Sequence, residues 1–161
     1  MNRKDYNIAV KEYSGRLFRY VLKCLGSKED ANDIVQESYE KLWKNRKKVP
    51  LEKSKSWLFT TAHNLLINHT KKHRAGLIED ENCREPMVSS VSYELKDLIE
   101  KALNGLPELQ YQIILLRDLE GYSYKEIGEI LHLNESQVKV YLFRARQKVR
   151  LKLKDISVLV A

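Results

Sequence analysis

Only two cysteines, Cys24 and Cys83, occur in the chain, with no CxxC pair and no paired spacing. Neither a disulfide framework nor a structural zinc site is supported, and a reducing compartment fits the thiol content best. No apolar run approaches the roughly 20 residues that a membrane span requires. The opening Met1-Asn2-Arg3-Lys4-Asp5 also lacks the apolar core of an export signal. A cytoplasmic chain without membrane insertion is expected. No phosphate loop, nucleophile motif or pair of carboxylates in an apolar setting is present, which argues against an enzyme. His69 and His73 lie four apart and could share a metal on a helix. No carboxylate or thiol at ligand spacing joins them, so neither metal nor cofactor is expected.

What the chain has is charge and helical period. The formal net charge is +7, unevenly spread: about +9 over 1–75, about −4 over 76–98 and about +2 over the rest. Ile8, Tyr13, Leu17, Phe18, Val21, Leu22 and Leu25 recur at three- and four-residue intervals, the stripe of an amphipathic helix that Gly26 closes. Ser27-Lys28-Glu29-Asp30 then offers a capping serine with acids in the first turn. Ala31, Ile34, Val35, Tyr39, Leu42 and Trp43 form the buried stripe of a second helix ending before Pro50. Ser54 or Ser56 can cap a third, whose inward face is Trp57, Leu58, Thr61, Ala62, Leu65 and Leu66 and which stops near Gly76. Three such stripes enclose one core, a first domain over 1–75.

Over 76–92 the period disappears into Glu79, Asp80, Glu81, Asn82, Glu85 and Pro86, the composition of a flexible acidic linker. Period returns over 93–161. Tyr93, Leu95, Leu98, Ile99, Ala102 and Leu103 lead to Gly105, and after Pro107 come Tyr111, Ile114, Leu115 and Leu119, stopping at Gly121. Ser123-Tyr124-Lys125-Glu126 has the form of a capping box. Ile127, Gly128, Leu131, Leu133, Val138 and Tyr141 then follow the spacing of a helix-turn-helix, with Gly128 where the elements approach closely. Asn134 can cap the last helix with Gln137 three residues on. His132 departs from the glycine that such a turn often carries, at a cost of about a kcal/mol. From Lys139 onward the last helix carries Arg144, Arg146, Lys148, Arg150, Lys152 and Lys154 and meets no acid before Asp155. The fold class is all-α: two small helical bundles joined by a flexible acidic linker, the second ending in a helix-turn-helix.

Two segments of the first half carry a family resemblance. Asp30-Ala31-Asn32-Asp33-Ile34-Val35-Gln36-Glu37-Ser38-Tyr39-Glu40-Lys41-Leu42-Trp43 resembles the polymerase-binding helix of sigma factors. Trp57-Leu58-Phe59-Thr60-Thr61-Ala62-His63-Asn64 with Asn68 and Lys71-Lys72-His73-Arg74 resembles their promoter-melting helix. In the second half Leu106-Pro107-Glu108, Gly121 to Gly128 and Val138 to Arg146 resemble the family's second DNA-reading domain. The compact two-domain form is similar to the extracytoplasmic-function (ECF) group of the sigma-70 family. The resemblance implies a non-enzymatic subunit that binds core RNA polymerase and directs promoter-specific initiation, with an anti-sigma factor as an optional further partner.

Charge and spacing agree with these roles. Asp33, Gln36, Glu37 and Glu40 share one helix face, an acidic surface on a basic domain that suits a basic protein partner. By resemblance that partner is the coiled-coil clamp of the largest polymerase subunit, and Asp30 joins the set. Asn64, Asn68, Lys71 and Lys72, with Arg74 beyond, offer amides for exposed base edges and cations for phosphates, and by resemblance Asn64 helps to capture a flipped minus-ten base. Thr60 stands where the family often has arginine, and His69 where it often has aspartate. By resemblance, Ser136, Gln137, Lys139, Val140 and Arg144 on the last helix are expected at the minus-thirty-five element, with Arg146 and Lys148 on phosphate where the helix leaves the groove. The competing reading is a helix-turn-helix regulator with a ligand-sensing N-terminal domain, binding a palindrome as a dimer without joining polymerase.

Overall fold

A computed structural model of the protein describes residues 1–76 and 93–160, with side chains described over 1–72 and 96–155. The expected linker, Cys83 and the side chains of His73 and Arg74 lie outside the described residues. Among the described residues there are seven α-helices and no strand, and no helix is long and apolar enough to cross a membrane. They fall into two compact units, one built mainly on the first three helices and the other on those from Tyr93 onward.

In the first unit α1 (Arg3–Leu25), α2 (Lys28–Asn45) and α3 (Leu51–Gly76) each pack on the other two. α1 starts earlier than its apolar stripe because Asn2 and Asp5 form a reciprocal capping box. It ends where Gly26 takes a left-handed conformation at φ 76° and returns its N–H to the Leu22 carbonyl at 2.7 Å. Ser27 caps α2 by accepting from the Asp30 N–H. α3 enters through Pro50 rather than a serine cap. Ser54 and Ser56 sit inside its first turns and donate back to the Leu51 and Lys53 carbonyls, because a proline without an N–H costs nothing where helical amides are unpaired anyway.

Leu17 and Val21 of α1, Ala31 and Leu42 of α2, and Leu58, Phe59, Ala62 and Leu66 of α3 are fully buried. Each of the larger side chains contributes about 1.5–3 kcal/mol by leaving water. Two residues of the stripes expected on α1 and α2 face out instead: Ile8 is 47% exposed and Trp43 37%. The Trp43 ring is covered from the side by Tyr6, with centroids 4.9 Å apart, and by the Arg46 guanidinium 4.0 Å from its centroid. Tyrosine hydroxyls tie α1 to α2 in both directions, Tyr6 donating to the Tyr39 carbonyl and Tyr39 to that of Ala9. Burial pushes the Tyr39 phenol well above its ordinary pKa.

In the second unit α4 (Tyr93–Asn104) and α5 (Glu108–Ile114) pack against α7 (Glu135–Val160). α5 does not run straight to Gly121. It widens into one π turn over Leu115–Leu119, with the Glu120 N–H reaching the Leu115 carbonyl five residues back. The extra residue per turn shifts the face, and Leu119, expected inside, is 56% exposed. Short α6 (Tyr124–Leu131) follows, and Ala102, Leu106, Leu116, Ile127, Val138, Leu142 and Ala145 fill the core. The Lys152 ammonium occupies the place where a Cβ at Gly105 would stand, beside the C-terminal end of α4, where a cation is favoured.

His63 of α3 is 3% exposed and faces the Tyr20 hydroxyl at 3.5 Å. Burial lowers its pKa from 6.5 to about 4, so the folded state holds the imidazole neutral. Its contribution to stability is complete above the unfolded value and is lost as pH falls from 6.5 towards 4. Both tryptophans, Trp43 and Trp57, lie in this unit, so tryptophan fluorescence reports its unfolding. Between pH 6.5 and 5 the urea-derived stability should fall by about 2 kcal/mol more in the unsubstituted chain than in His63→Leu. Equal losses in the two proteins would contradict the neutral, buried state of His63.

Candidate nucleic-acid interface

The helix-turn-helix is built as its local sequence dictates. The Ser123 N–H donates to Glu126 Oε2 at 2.8 Å and the Glu126 N–H to Ser123 Oγ at 3.2 Å. Asn134 and Gln137 exchange the same pair at the start of α7, at 3.0 and 2.8 Å, which engages the Gln137 side-chain oxygen in the cap. Between the two helices His132 is the one described non-glycine residue with positive φ, 59°. The Leu133 N–H closes the turn on the Gly128 carbonyl at 2.9 Å. A Cβ at Gly128 would come within 2.5 Å of the Leu133 carbonyl oxygen, so the expected close approach is one of backbone on backbone.

α7 buries Val138, Leu142 and Ala145 and turns its other side outward. Ser136, Gln137, Lys139, Val140, Arg144, Arg146 and Lys148 are all exposed. Phe143 was absent from the expected set and is 66% exposed. Its position three residues beyond Val140, out of phase with the buried stripe, is the signal that could have found it. Two cations flank the Tyr124 ring, the Arg117 guanidinium carbon at 4.6 Å and Lys139 Nζ at 5.5 Å from its centroid. Arg117 also donates to the Tyr122 carbonyl at 2.8 Å. Arg146 is held through a two-point fork to Asp118, with Nη2 to Oδ1 at 2.6 Å and Nε to Oδ2 at 3.4 Å. That hydrogen bonding raises its pKa.

On the first unit, Asn64, Asn68, Lys71 and Lys72 are exposed on α3, while Leu58, Ala62 and Leu66 of the same helix are buried. Thr60 donates back to the Ser56 carbonyl one turn earlier at 2.8 Å. Asp33, Gln36, Glu37 and Glu40 are exposed on α2 and border a shallow depression together with Lys41 and Lys44. Glu37 pairs with Lys41 at 3.5 Å, so the acidic face is partly compensated by its own helix. Asp30 stands apart: its carboxylate lies 3.6 Å from His69 Nε2 on α3.

Comparison with known proteins matches both halves of the chain. The family model for Sigma-70 region 2 covers residues 9–76, and that for Sigma-70 region 4 covers residues 96–149. The chain belongs to the sigma-70 family. Its relatives place it in the ECF group. It is 28% identical to the ECF RNA polymerase sigma factor SigM of Bacillus subtilis over 144 residues, covering 86% of this chain and 88% of that one. It is 29% identical to the ECF RNA polymerase sigma-E factor of Haemophilus influenzae over 176 residues, covering 96% and 90%. Among solved structures, the sigma factor RpoE of Bartonella quintana, in complex with the anti-sigma factor NepR, matches with a TM-score of 0.77 at 25% identity, covering 94% of this chain and 98% of that one. An ECF sigma factor directs transcription initiation through RNA polymerase, and this chain is one. The match of region 2 to residues 9–76 displaces the competing reading, in which that half is a ligand-sensing domain.

The turn makes two substitutions of opposite sign informative. Gly128→Ala should destabilise the second unit by about 1–3 kcal/mol, because backbone must move to admit the methyl group. His132→Gly should stabilise it by up to about 1 kcal/mol by relieving the left-handed conformation. Urea unfolding followed by far-ultraviolet circular dichroism, with tryptophan fluorescence tracking the first unit, reads both. An unchanged midpoint for Gly128→Ala would refute the close approach.

Proposed function

We propose that the two helical units divide promoter recognition between them while the chain is docked as a single subunit on core RNA polymerase. The observation that carries this reading is the outward face of α7. Its first turns present Ser136, Lys139, Val140, Phe143 and Arg144 while Val138, Leu142 and Ala145 seal the opposite side. A helix entering the major groove needs donors for base edges and apolar groups for thymine methyls on that surface. Arg144 and Lys139 supply the first, Val140 and Phe143 the second, and Gln137 holds the cap that aims them. Lys148, further along, meets phosphate.

The first unit supplies the other contacts. Asn64 and Asn68, with Lys71, Lys72 and Arg74 along the strand, take up minus-ten bases once the duplex opens. Unstacking costs a few kcal/mol per base, and capture by a pocket and a charged track repays it without chemistry. The chain therefore works as a binding subunit in the cytoplasm and is not an enzyme. Asp33, Gln36, Glu37 and Glu40 dock on a basic surface of core polymerase. Asp30, engaged by His69, steadies α2 against α3 at the edge of that surface. The relative RpoE was solved bound to an anti-sigma factor. An inhibitory protein partner of this kind fits the present chain.

Asp33→Lys combined with Glu37→Lys should weaken binding to core polymerase by several kcal/mol, since like charges would then face a basic partner. The urea stability of the first unit should fall by no more than about 1 kcal/mol, because both side chains are exposed and only the surface Glu37–Lys41 pair is lost and like charges gained along α2. Affinity is measured by fluorescence anisotropy of the labelled chain titrated with core polymerase. Unchanged affinity would remove α2 from the docking surface.

A further inference from the structure

Two consecutive residues of the π turn over Leu115–Leu119, Arg117 and Asp118, contact different helices of the reading motif. Arg117 reaches the start of α6 through the Tyr122 carbonyl and the Tyr124 ring. Asp118 reaches Arg146 on α7, 28 residues further along the chain. The Asp118 carboxylate takes the guanidinium edge that a phosphate would take, with the fork geometry that arginine offers to either anion. Arg146 borders the same cavity of about 340 Å³ as Tyr124, Lys139, Phe143 and Arg150. The fork thus anchors the flank of α7 that carries Lys139 and Phe143.

An acidic residue beside a DNA-facing helix is costly for general attraction to DNA, since each cation withheld from phosphate removes about 0.9 from the slope of log affinity against log salt. We propose that Asp118 is a positioning residue for promoter reading: it withholds Arg146 from the phosphate backbone and holds the flank of α7 in place, so that preference for the right element rests on base-edge contacts. This rests on the assignment of α7 to the upstream element. Positioning matters here because general attraction raises affinity for every sequence alike, whereas base contacts raise it for one. A free Arg146 adds to the first term only, and a loosened α7 subtracts from the second.

The test uses the full chain bound to core polymerase. The probes are duplexes enriched from a random pool by the unsubstituted holoenzyme, and the unenriched pool. Asp118→Asn should tighten binding to the unenriched pool several-fold and steepen its salt slope by about 0.9. Enriched duplexes should gain less, so that the preference ratio falls. Asp118→Glu, which keeps the fork, should restore both ratio and slope. Equal changes on the two probes in either direction, or an unchanged slope, would overturn the inference. If Asp118→Asn does not fold, Arg146→Gln decides: the inference expects an unchanged slope, and a slope shallower by about 0.9 would overturn it. Failure of the unsubstituted holoenzyme to enrich any duplex would instead overturn the promoter reading itself, and this inference with it.

Discussion

The packing of one apolar stripe per helix into a small core decides what remains for partners. In the first unit Leu17, Val21, Leu42, Leu58 and Leu66 are buried to the last few per cent or completely. In a three-helix bundle of this size no second layer covers the outer faces. α2 therefore keeps Asp33, Gln36, Glu37 and Glu40 in solvent, and α3 keeps Asn64, Asn68, Lys71 and Lys72 there. An acidic face and an amide-and-lysine face on one rigid body can serve a basic protein and a nucleic acid at once. The same rule operates in α7, where Val138, Leu142 and Ala145 go in and Val140, Phe143 and Arg144 stay out.

Charge is also spent inside the protein. Asp30 meets His69, Glu37 meets Lys41 and Asp118 meets Arg146. These exposed or half-exposed pairs add little to stability in water. Their weight lies in which charges they leave uncompensated, because a paired cation contributes less to general attraction for DNA than a free one. The net charge of +7 therefore does not say which cations are free to meet phosphate; the pairings do.

Much of this was legible in the sequence because the signals are local. Gly26 with Ser27, Ser123 with Glu126 and Asn134 with Gln137 each act within a few residues, and a short-range rule reads them correctly. Gly128 and His132 were legible for the same reason. The π turn was not, since a single five-residue closure leaves the apolar composition of 111–119 unchanged while rotating Leu119 outward. Ile8 and Trp43 misled because apolar period alone cannot tell a core position from one at its margin beside Tyr6 and Arg46. The pairing of Arg146 with Asp118, and of Asp30 with His69, joins positions far apart in the chain. Only the tertiary fold could turn those members of the expected interface towards their own protein. Phe143 is legible in the sequence from its phase relative to Val138 and Leu142, which sets it off the buried stripe.

The account stands on one subunit reading two elements through polymerase, and transcription tests that most directly. Core RNA polymerase with and without the chain is supplied with a library of genomic fragments, and the transcript starts are mapped. The account predicts starts that depend on the chain and share a pair of unlike upstream elements, one near minus ten and one near minus thirty-five. Starts that do not depend on the chain, or a single palindromic site bound by two copies in the absence of polymerase, would contradict it.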